Sequence, residues 1–124
     1  MNNSNTQKTK HMPNSPDRHR VLYEFGAECK RLFGDRLSDV RLFGSCARGD
    51  YNEESDIDVM LLLNMDRAES KRYLDEVCHV TSELDMKYGV FLSPILQSKP
   101  EYDAAKSFLG FFKNVEHEGV SIYA

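Results

Sequence analysis

The chain has 124 residues, of which 40% are hydrophobic and 29% charged, and these values are typical of one soluble globular domain. No apolar run approaches the ~18 residues of a membrane-spanning helix, so the sequence excludes such a helix. The net charge is −4, and the acidic excess lies after residue 20, which argues against nucleic acid as a partner. The three cysteines lack disulfide or zinc-site spacing, so we expect reduced thiols in a cytoplasmic protein.

The N-terminal residues 1–14 are polar and show no periodicity, which predicts a disordered tail before a single domain over residues 15–124. Ser15 followed by Pro16 is typical of a helix start. Apolar residues then recur at helical spacing as far as Gly34, which is a suitable C-terminal cap. We therefore predict a first helix between these signals.

Changes in periodicity and turn residues define the remaining elements in chain order. We predict strands over residues 40–43, 57–63, 90–96 and 120–123. Between them we predict a turn-rich segment up to Ser55, one helix from Asp66 to Gly89, and a helix from Ser98 that breaks near Gly110 and stops at Gly119. This order indicates an α/β (α+β) fold in which helices pack on a small mixed β-sheet.

A dense apolar cluster lies at the predicted helix break and consists of Phe108, Leu109, Phe111 and Phe112. Core packing would account for two or three of these side chains. An exposed remainder would indicate a surface that binds a partner protein.

The segment over residues 42–60 carries side chains suited to phosphate chemistry. Gly44 permits close backbone approach, Ser45 offers a hydroxyl, and amide groups at the start of a following helical segment attract phosphate. Asp56 and Asp58 are two residues apart on a predicted strand, so their carboxylates point to one face at a spacing of ~6.5–7 Å. Carboxylates in that arrangement can share the divalent cations used in nucleotidyl transfer.

Each of these features also has a structural explanation when it is taken singly. A Gly-Ser pair after a strand is commonly a turn, and an Asp-x-Asp pair is commonly a solvated strand end. The acidic run over residues 50–58 is costly at neutral pH unless the loop is solvent-exposed or a cation binds there. The joint spacing, with ten residues between Ser45 and Asp56, favours the functional explanation.

The chain resembles the DNA polymerase beta-like nucleotidyltransferase superfamily in two linked motifs, Gly44-Ser45-x-Ala47-Arg48-Gly49 and Ser55-Asp56-Ile57-Asp58-Val59. It is more closely similar to the minimal nucleotidyltransferases, which are small single-domain proteins usually encoded beside a HEPN-domain protein. The resemblance covers roughly residues 20–123. It implies a nucleotidyltransferase fold like the palm of polymerase beta.

The resemblance also implies roles for the motif residues. Gly44 and Ser45 would bind the nucleotide triphosphate, and Asp56 and Asp58 would be the catalytic carboxylates that hold Mg²⁺. Arg48 would pair either with a phosphate or with one of the nearby acids. ATP is the common donor in this family, and several members act as antitoxins that attach AMP to a tyrosine of a partner HEPN ribonuclease.

The chain departs from the resemblance at a third carboxylate. Catalytically complete members usually carry another acid on the following strand, where it completes metal binding and can help to take a proton from the acceptor. The matching strand here, Gly89-Val90-Phe91-Leu92-Ser93-Pro94-Ile95-Leu96, holds no acid, and Ser93 lies about where the acid is expected. Asp85, Glu101 or Asp103 would have to substitute from a neighbouring element.

The sequence is therefore compatible with three functions. The first is a Mg²⁺- and ATP-dependent adenylyltransferase that modifies a HEPN toxin and so acts as its antitoxin. The second is a nucleotidyltransferase-like antitoxin of weak or no activity that neutralises its partner by binding. The third is a small-molecule nucleotidyltransferase of the aminoglycoside-modifying kind, which normally needs more chain to bind its acceptor.

Overall fold

A computed structural model describes residues 16–49 and 56–122. The elements in chain order are α1 (Pro16–Phe33), a 3-10 turn (Gly34–Arg36), β1 (Leu37–Phe43), α2 (Gly44–Arg48), β2 (Ile57–Leu63), α3 (Arg67–Lys71), α4 (Leu74–Tyr88), β3 (Leu92–Ser98), α5 (Lys99–Ala105), α6 (Gly110–Glu118) and β4 (Val120–Ser121). The predicted N-terminal tail, the Ser15 cap, most of the acidic run, and Tyr123 at the end of the last predicted strand lie outside the described residues. In the described part of the chain, no helix has the length and apolar content needed to cross a membrane.

The four strands form one mixed sheet in the order β3-β2-β1-β4. β1 is antiparallel to both β2 and β4, whereas β3 is parallel to β2. Asp58 is the register partner of both Phe43 and Ser93, so the end of β1 and the starts of β2 and β3 meet at one end of the sheet. This architecture confirms the predicted α/β fold class and brings the motif residues to that end.

Helices cover both faces of the sheet. The continuous apolar run of β2 predicts this arrangement, because a strand that is apolar on both sides must be buried on both. The odd-numbered side chains of β2 pack with α1 and α4 in the larger core, which includes Phe25, Leu42, Ile57, Val59, Leu61, Leu63 and Leu84. On the other face, Met60 and Leu62 pack with Tyr102 of α5 and Val115 of α6. Asp58 shares this second face, so α5 and α6 lie on the same side of the sheet as the candidate site.

The first helix lies where the spacing of apolar residues predicts it. Val21, Leu22, Phe25 and Cys29 recur at helical intervals and are almost completely buried. Gly34 follows the last helical residue with a φ of 59°, a left-handed conformation that favours glycine. The helix therefore ends where the sequence indicates.

The predicted single helix from Asp66 to Gly89 is wrong, because the structure divides it into α3 and α4. The Asp66 carboxylate caps α3 by accepting the Glu69 N–H at 2.8 Å. The Tyr73 N–H then donates to the Ser70 carbonyl, a tighter 3-10 bond that ends the short helix. Leu74, the first residue of α4, is exposed.

Three predicted strands have different limits in the structure, and one of them is β4, which ends at Ser121 and leaves Ile122 outside the strand. β1 begins at Leu37 rather than at residue 40, because Leu37 and Asp39 already pair with β2 in the antiparallel register. β3 runs over Leu92–Ser98 rather than residues 90–96. Its start is fixed where the Leu92 N–H donates to an Asp85 carboxylate oxygen at 2.8 Å.

The final helices follow the predicted break. Ser98 caps α5 by accepting the Glu101 N–H at 3.4 Å, and α6 begins at Gly110. In the apolar cluster, Phe112 is half-buried and packs on Tyr102 with ring centroids 4.9 Å apart. The other three members, Phe108, Leu109 and Phe111, are exposed. Core packing therefore accounts for fewer of these side chains than predicted, and binding of a partner by the exposed ones stays a prediction.

Candidate active site

The turn after β1 places the backbone directly against one of the paired carboxylates. Gly44 has a φ of 74°, which side chains other than glycine rarely adopt. A Cβ added at Gly44 would overlap Oδ2 of Asp58 and would lie 3.3 Å from its Cγ. The close approach expected at this glycine is therefore made to the Asp58 side chain.

The paired carboxylates flank a core residue at the start of β2. Ile57 is completely buried, so Asp58, the next residue of β2, lies on the opposite face of the sheet. Asp56 is exposed and precedes the strand rather than lying within it, whereas Asp58 is half-buried. The structure thus places Asp58 against Gly44, and the charge of Asp56 acts on Asp58.

The electrostatics of this pair favour a bound cation. Burial and the charge of Asp56 raise the pKa of the Asp58 carboxyl, and the guanidinium of Arg48 opposes that shift. Repulsion between two like charges is relieved when a cation lies between them. Carboxylate oxygens are also the ligands that Mg²⁺ prefers, so the donor chemistry of Asp56 and Asp58 fits this ion.

The neighbouring strand supplies no third carboxylate. Ser93 is the register partner of Asp58 in the parallel pair β2–β3, so its side chain lies on the same face beside Asp58. A serine hydroxyl is neutral and is a poor base at neutral pH. The structure therefore places a serine next to Asp58, at the position where the resemblance implies an acid.

Asp85 comes near the site but has a structural role. One of its oxygens accepts the Leu92 N–H and so fixes the start of β3. Burial raises the pKa of the Asp85 carboxyl, that hydrogen bond lowers it, and the charge of Asp56 raises it further. The Asp85 carboxylate is thus engaged by the backbone at the start of β3.

The other two acids considered as substitutes are engaged elsewhere. Glu101 pairs with Arg67 at 2.9 Å, and Asp103 pairs with Lys99 at 2.5 Å. Within residues 16–49 and 56–122, no group of three or more His, Cys, Asp or Glu side chains is arranged to hold a metal ion. In this part of the chain, none of the three candidate acids thus completes a metal-binding group with Asp56 and Asp58.

A series of hydrogen bonds that the motifs did not predict connects the backbone of Asp56 to α1. The buried Arg18 of α1 donates to Sγ of Cys46 at 3.6 Å, and that thiol donates to the Asp56 carbonyl, also at 3.6 Å. Cys46 is completely buried within α2. These contacts join α1, α2 and the start of β2, and the distance of Arg18 along the chain explains why no local motif indicates it.

The helix α6 forms a wall of the site that the sequence did not indicate. The Phe111 ring meets the Phe43 ring edge-on, with centroids 5.5 Å apart. At the other end of α6, Glu118 forms an ion pair with Arg48 at 3.4 Å. A pocket of about 200 Å³ lies between these two contacts and is bordered by Gly44. The acid that pairs with Arg48 in the described contacts is thus outside the predicted acidic run.

Comparison with known proteins agrees with this geometry. Residues 22–108, more than half of the chain, match the family described as the nucleotidyltransferase domain. The chain belongs to the nucleotidyltransferase family. The chain is therefore a nucleotidyltransferase, as the two linked motifs predict.

Two curated relatives of this nucleotidyltransferase come from Methanocaldococcus jannaschii and bear the provisional name protein adenylyltransferase. MJ0141 is 34% identical over 103 residues, which is 82% of this chain and 95% of that protein. MJ0604 is 34% identical over 104 residues, which is 84% of this chain and 96% of that protein. The alignments therefore extend over nearly the whole length of both relatives.

A solved structure shares the fold of this nucleotidyltransferase at low sequence identity. It is a toxin–antitoxin crystallised with AMP-PNP, and it is 15% identical to this chain with a TM-score of 0.50. The match covers 82% of this chain and 73% of that chain. At this identity the similarity supports the fold alone.

Proposed function

We propose that this nucleotidyltransferase is a Mg²⁺-dependent protein adenylyltransferase that acts as an antitoxin in the cytoplasm. It transfers AMP from ATP to the hydroxyl group of a tyrosine in a partner toxin that has a HEPN domain. The observation that carries the proposal is the contact of the Gly44 backbone with Asp58, beside the charge of Asp56. This arrangement joins a glycine turn suited to phosphate with a carboxylate pair suited to a divalent cation.

The comparisons support the choice of acceptor and donor. Two relatives that this chain matches over nearly their whole length are named for protein adenylylation, which supports a protein as acceptor. The solved structure with the same fold is a toxin–antitoxin crystallised with an ATP analogue, and the proposal extends its partner class and its nucleotide to this chain. The cysteines are free, which fits a reducing compartment.

The proposed reaction is a substitution at the α-phosphorus of ATP. The tyrosine oxygen forms a bond to that phosphorus, the bond to the bridging oxygen breaks, and pyrophosphate leaves with the electron pair. The phenolic proton passes to solvent or to a base on the partner, because Ser93 cannot accept it at neutral pH. A phenol with a pKa of ~10 needs less assistance than a sugar hydroxyl.

The residues of the motif divide this work. Gly44 and Ser45 bind the triphosphate through the turn that follows β1. Asp56 and Asp58 would hold Mg²⁺, which when bound would polarise the phosphoryl oxygens and offset their negative charge. Arg48 supplies a positive charge to the phosphates from the last position of α2.

A second candidate function rests on Ser93. Because a serine lies beside Asp58 where an acid is expected, the chain can be a catalytically weak antitoxin that neutralises its toxin by binding. The exposed side chains of Phe108, Leu109 and Phe111 would contribute to that contact. In this case the two aspartates would not be needed for neutralisation.

Ser93→Asp tests whether the serine limits the reaction. The new carboxylate would lie beside Asp58 on the adjacent strand and could accept the acceptor proton, so we expect the rate of AMP transfer to rise by about tenfold or more. Ser93→Asn is the control, because it has a similar size but no charge. An unchanged rate in Ser93→Asp would show that an acid at this position does not assist transfer.

Transfer of label from α-³²P-ATP to the protein encoded next to this chain, which the proposal expects to be a HEPN-domain toxin, tests the proposed function. Wild-type protein with Mg²⁺ should label a tyrosine of the partner, and the double variant Asp56→Ala, Asp58→Ala should not. Neutralisation of the toxin in cells is measured for the same two proteins. Labelling by the wild type, with loss of both labelling and neutralisation in the variant, is the expected result.

Other outcomes separate the alternatives. Full neutralisation by the double variant, without labelling by either protein, would favour the binding function. Labelling of an aminoglycoside such as kanamycin, with no protein labelled, would instead indicate a small-molecule transferase. Either outcome would overturn the proposed protein adenylylation.

A further inference from the structure

The contact between Glu118 and Arg48 joins the end of α6 to the end of α2, across 70 residues of chain. The guanidinium nitrogen and the carboxylate oxygen are 3.4 Å apart. Both side chains are accessible to solvent, with exposed fractions of 45% for Arg48 and 42% for Glu118. Ion pairs with this degree of exposure are weak and exchange readily, so a stronger anion can displace the carboxylate.

The position of Glu118 at a helix end lowers the contribution of its charge to the stability of the fold. Glu118 is the last residue of α6, where the carbonyl end of the helix carries partial negative charge. A carboxylate is disfavoured at that end, whereas a cation such as Arg48 is favoured there. Loss of the Glu118 charge should therefore cost the fold little.

Arg48 also lies at the border of the candidate active site. It borders the pocket of about 200 Å³ together with Gly44, whose backbone contacts Asp58. Its positive charge acts on the Asp58 carboxyl, whose pKa it lowers against the effect of burial. The Arg48 guanidinium thus acts on the Asp58 carboxyl while it is paired with Glu118 of α6.

We infer that Glu118 is a positioning residue that occupies Arg48 until the phosphates of a nucleotide displace it. This inference rests on the proposed nucleotide binding and adds a competing anion to it. A phosphate offers more negative charge and more acceptor oxygens than a carboxylate, so it forms the stronger pair with a guanidinium. Glu118 therefore weakens nucleotide binding in wild-type protein and makes it depend on an exchange of partners.

Glu118→Gln tests this competition through nucleotide affinity. The probe is α,β-methylene-ATP, which cannot transfer AMP, with Mg²⁺, and the full chain is titrated by calorimetry. We expect the dissociation constant of the variant to fall by about two- to fivefold, the range that corresponds to a weak surface ion pair. The matched control is Glu83→Gln, which removes one charge from an exposed position on α4 and should leave the dissociation constant unchanged.

A double-mutant cycle with Arg48→Ala separates competition from structural support. If Glu118 acts through Arg48, the Glu118→Gln change should have no effect on nucleotide affinity in the Arg48→Ala background. Equal or weaker binding by Glu118→Gln in the Arg48-containing protein, with an unchanged melting temperature, would overturn the inference. Absence of nucleotide binding by wild-type protein would instead overturn the proposed function, so the two failures are distinguishable.

Discussion

Asp58→Asn should reduce the rate of AMP transfer by on the order of 10³-fold or more. Asparagine keeps the size of the side chain beside Gly44 but removes the negative charge that a divalent cation requires. Stabilisation of charge by such a cation contributes several kcal/mol to reactions of this class, and each ~1.4 kcal/mol is a factor of ten in rate. The measurement is single-turnover label transfer from ATP to the partner protein at saturating Mg²⁺.

The same variant should be slightly more stable than the wild type at neutral pH. Burial and the charge of Asp56 raise the pKa of Asp58 in the folded state, so the ionised carboxylate costs the fold free energy. The stabilisation of the fold by protonated Asp58 is fully present below the unfolded-state pKa of ~3.9. It is lost as the pH rises through the higher pKa of the folded state. The advantage of Asp58→Asn should therefore be present at about pH 7 and absent at about pH 4.

Thermal unfolding without divalent cations checks this expectation. The gain in melting temperature should be a few degrees at most, because Asp58 is only half-buried and solvent screens its charge. Asp35→Asn is the matched control, since Asp35 is exposed in the turn before β1, at the opposite end of the strand from the site. A variant that lost stability together with activity would indicate that Asp58 supports the fold rather than the reaction.

The parts of the site that sequence reasoning could predict are those with local signals. The glycine turn after β1 and the carboxylates at the start of β2 lie within 15 residues of one another, from Gly44 to Asp58. The spacing of apolar residues also predicts the helices and the buried central strand, because burial on both faces of a sheet demands a continuous apolar run. The position of Ser93 beside Asp58 follows from strand order once the parallel pairing is known.

The parts that could not be predicted depend on contacts between distant residues. Glu118 reaches Arg48 across 70 residues, and Arg18 reaches Cys46 across 28. The division between α3 and α4 has a similar origin, since the Tyr73 ring at the break packs on Phe33 of α1 with centroids 4.9 Å apart. Periodicity continues through such a break, so the pattern alone indicates one helix.

Gly44→Ala should reduce AMP transfer by about 100-fold or more and should also destabilise the fold. The left-handed backbone at Gly44 costs a non-glycine residue about 1–2 kcal/mol. The added methyl group would in addition overlap the Asp58 oxygen, so the carboxylate must move away from its position beside Asp56. A displacement of about 1 Å in a reacting group is enough for a rate loss of this size.

Gly89→Ala is the control that separates these two effects. Gly89 has a φ of 66°, close to that of Gly44, but a Cβ added there would meet no atom within 4 Å. Both variants should lose a similar stability from backbone strain, as measured by urea unfolding, whereas Gly44→Ala alone should lose label transfer and Mg²⁺-dependent nucleotide binding. Equal loss of transfer in the two variants would show that general destabilisation is responsible. Retention of activity in Gly44→Ala would show that the contact between Gly44 and Asp58 is not required, which would remove the observation on which the proposed function chiefly rests.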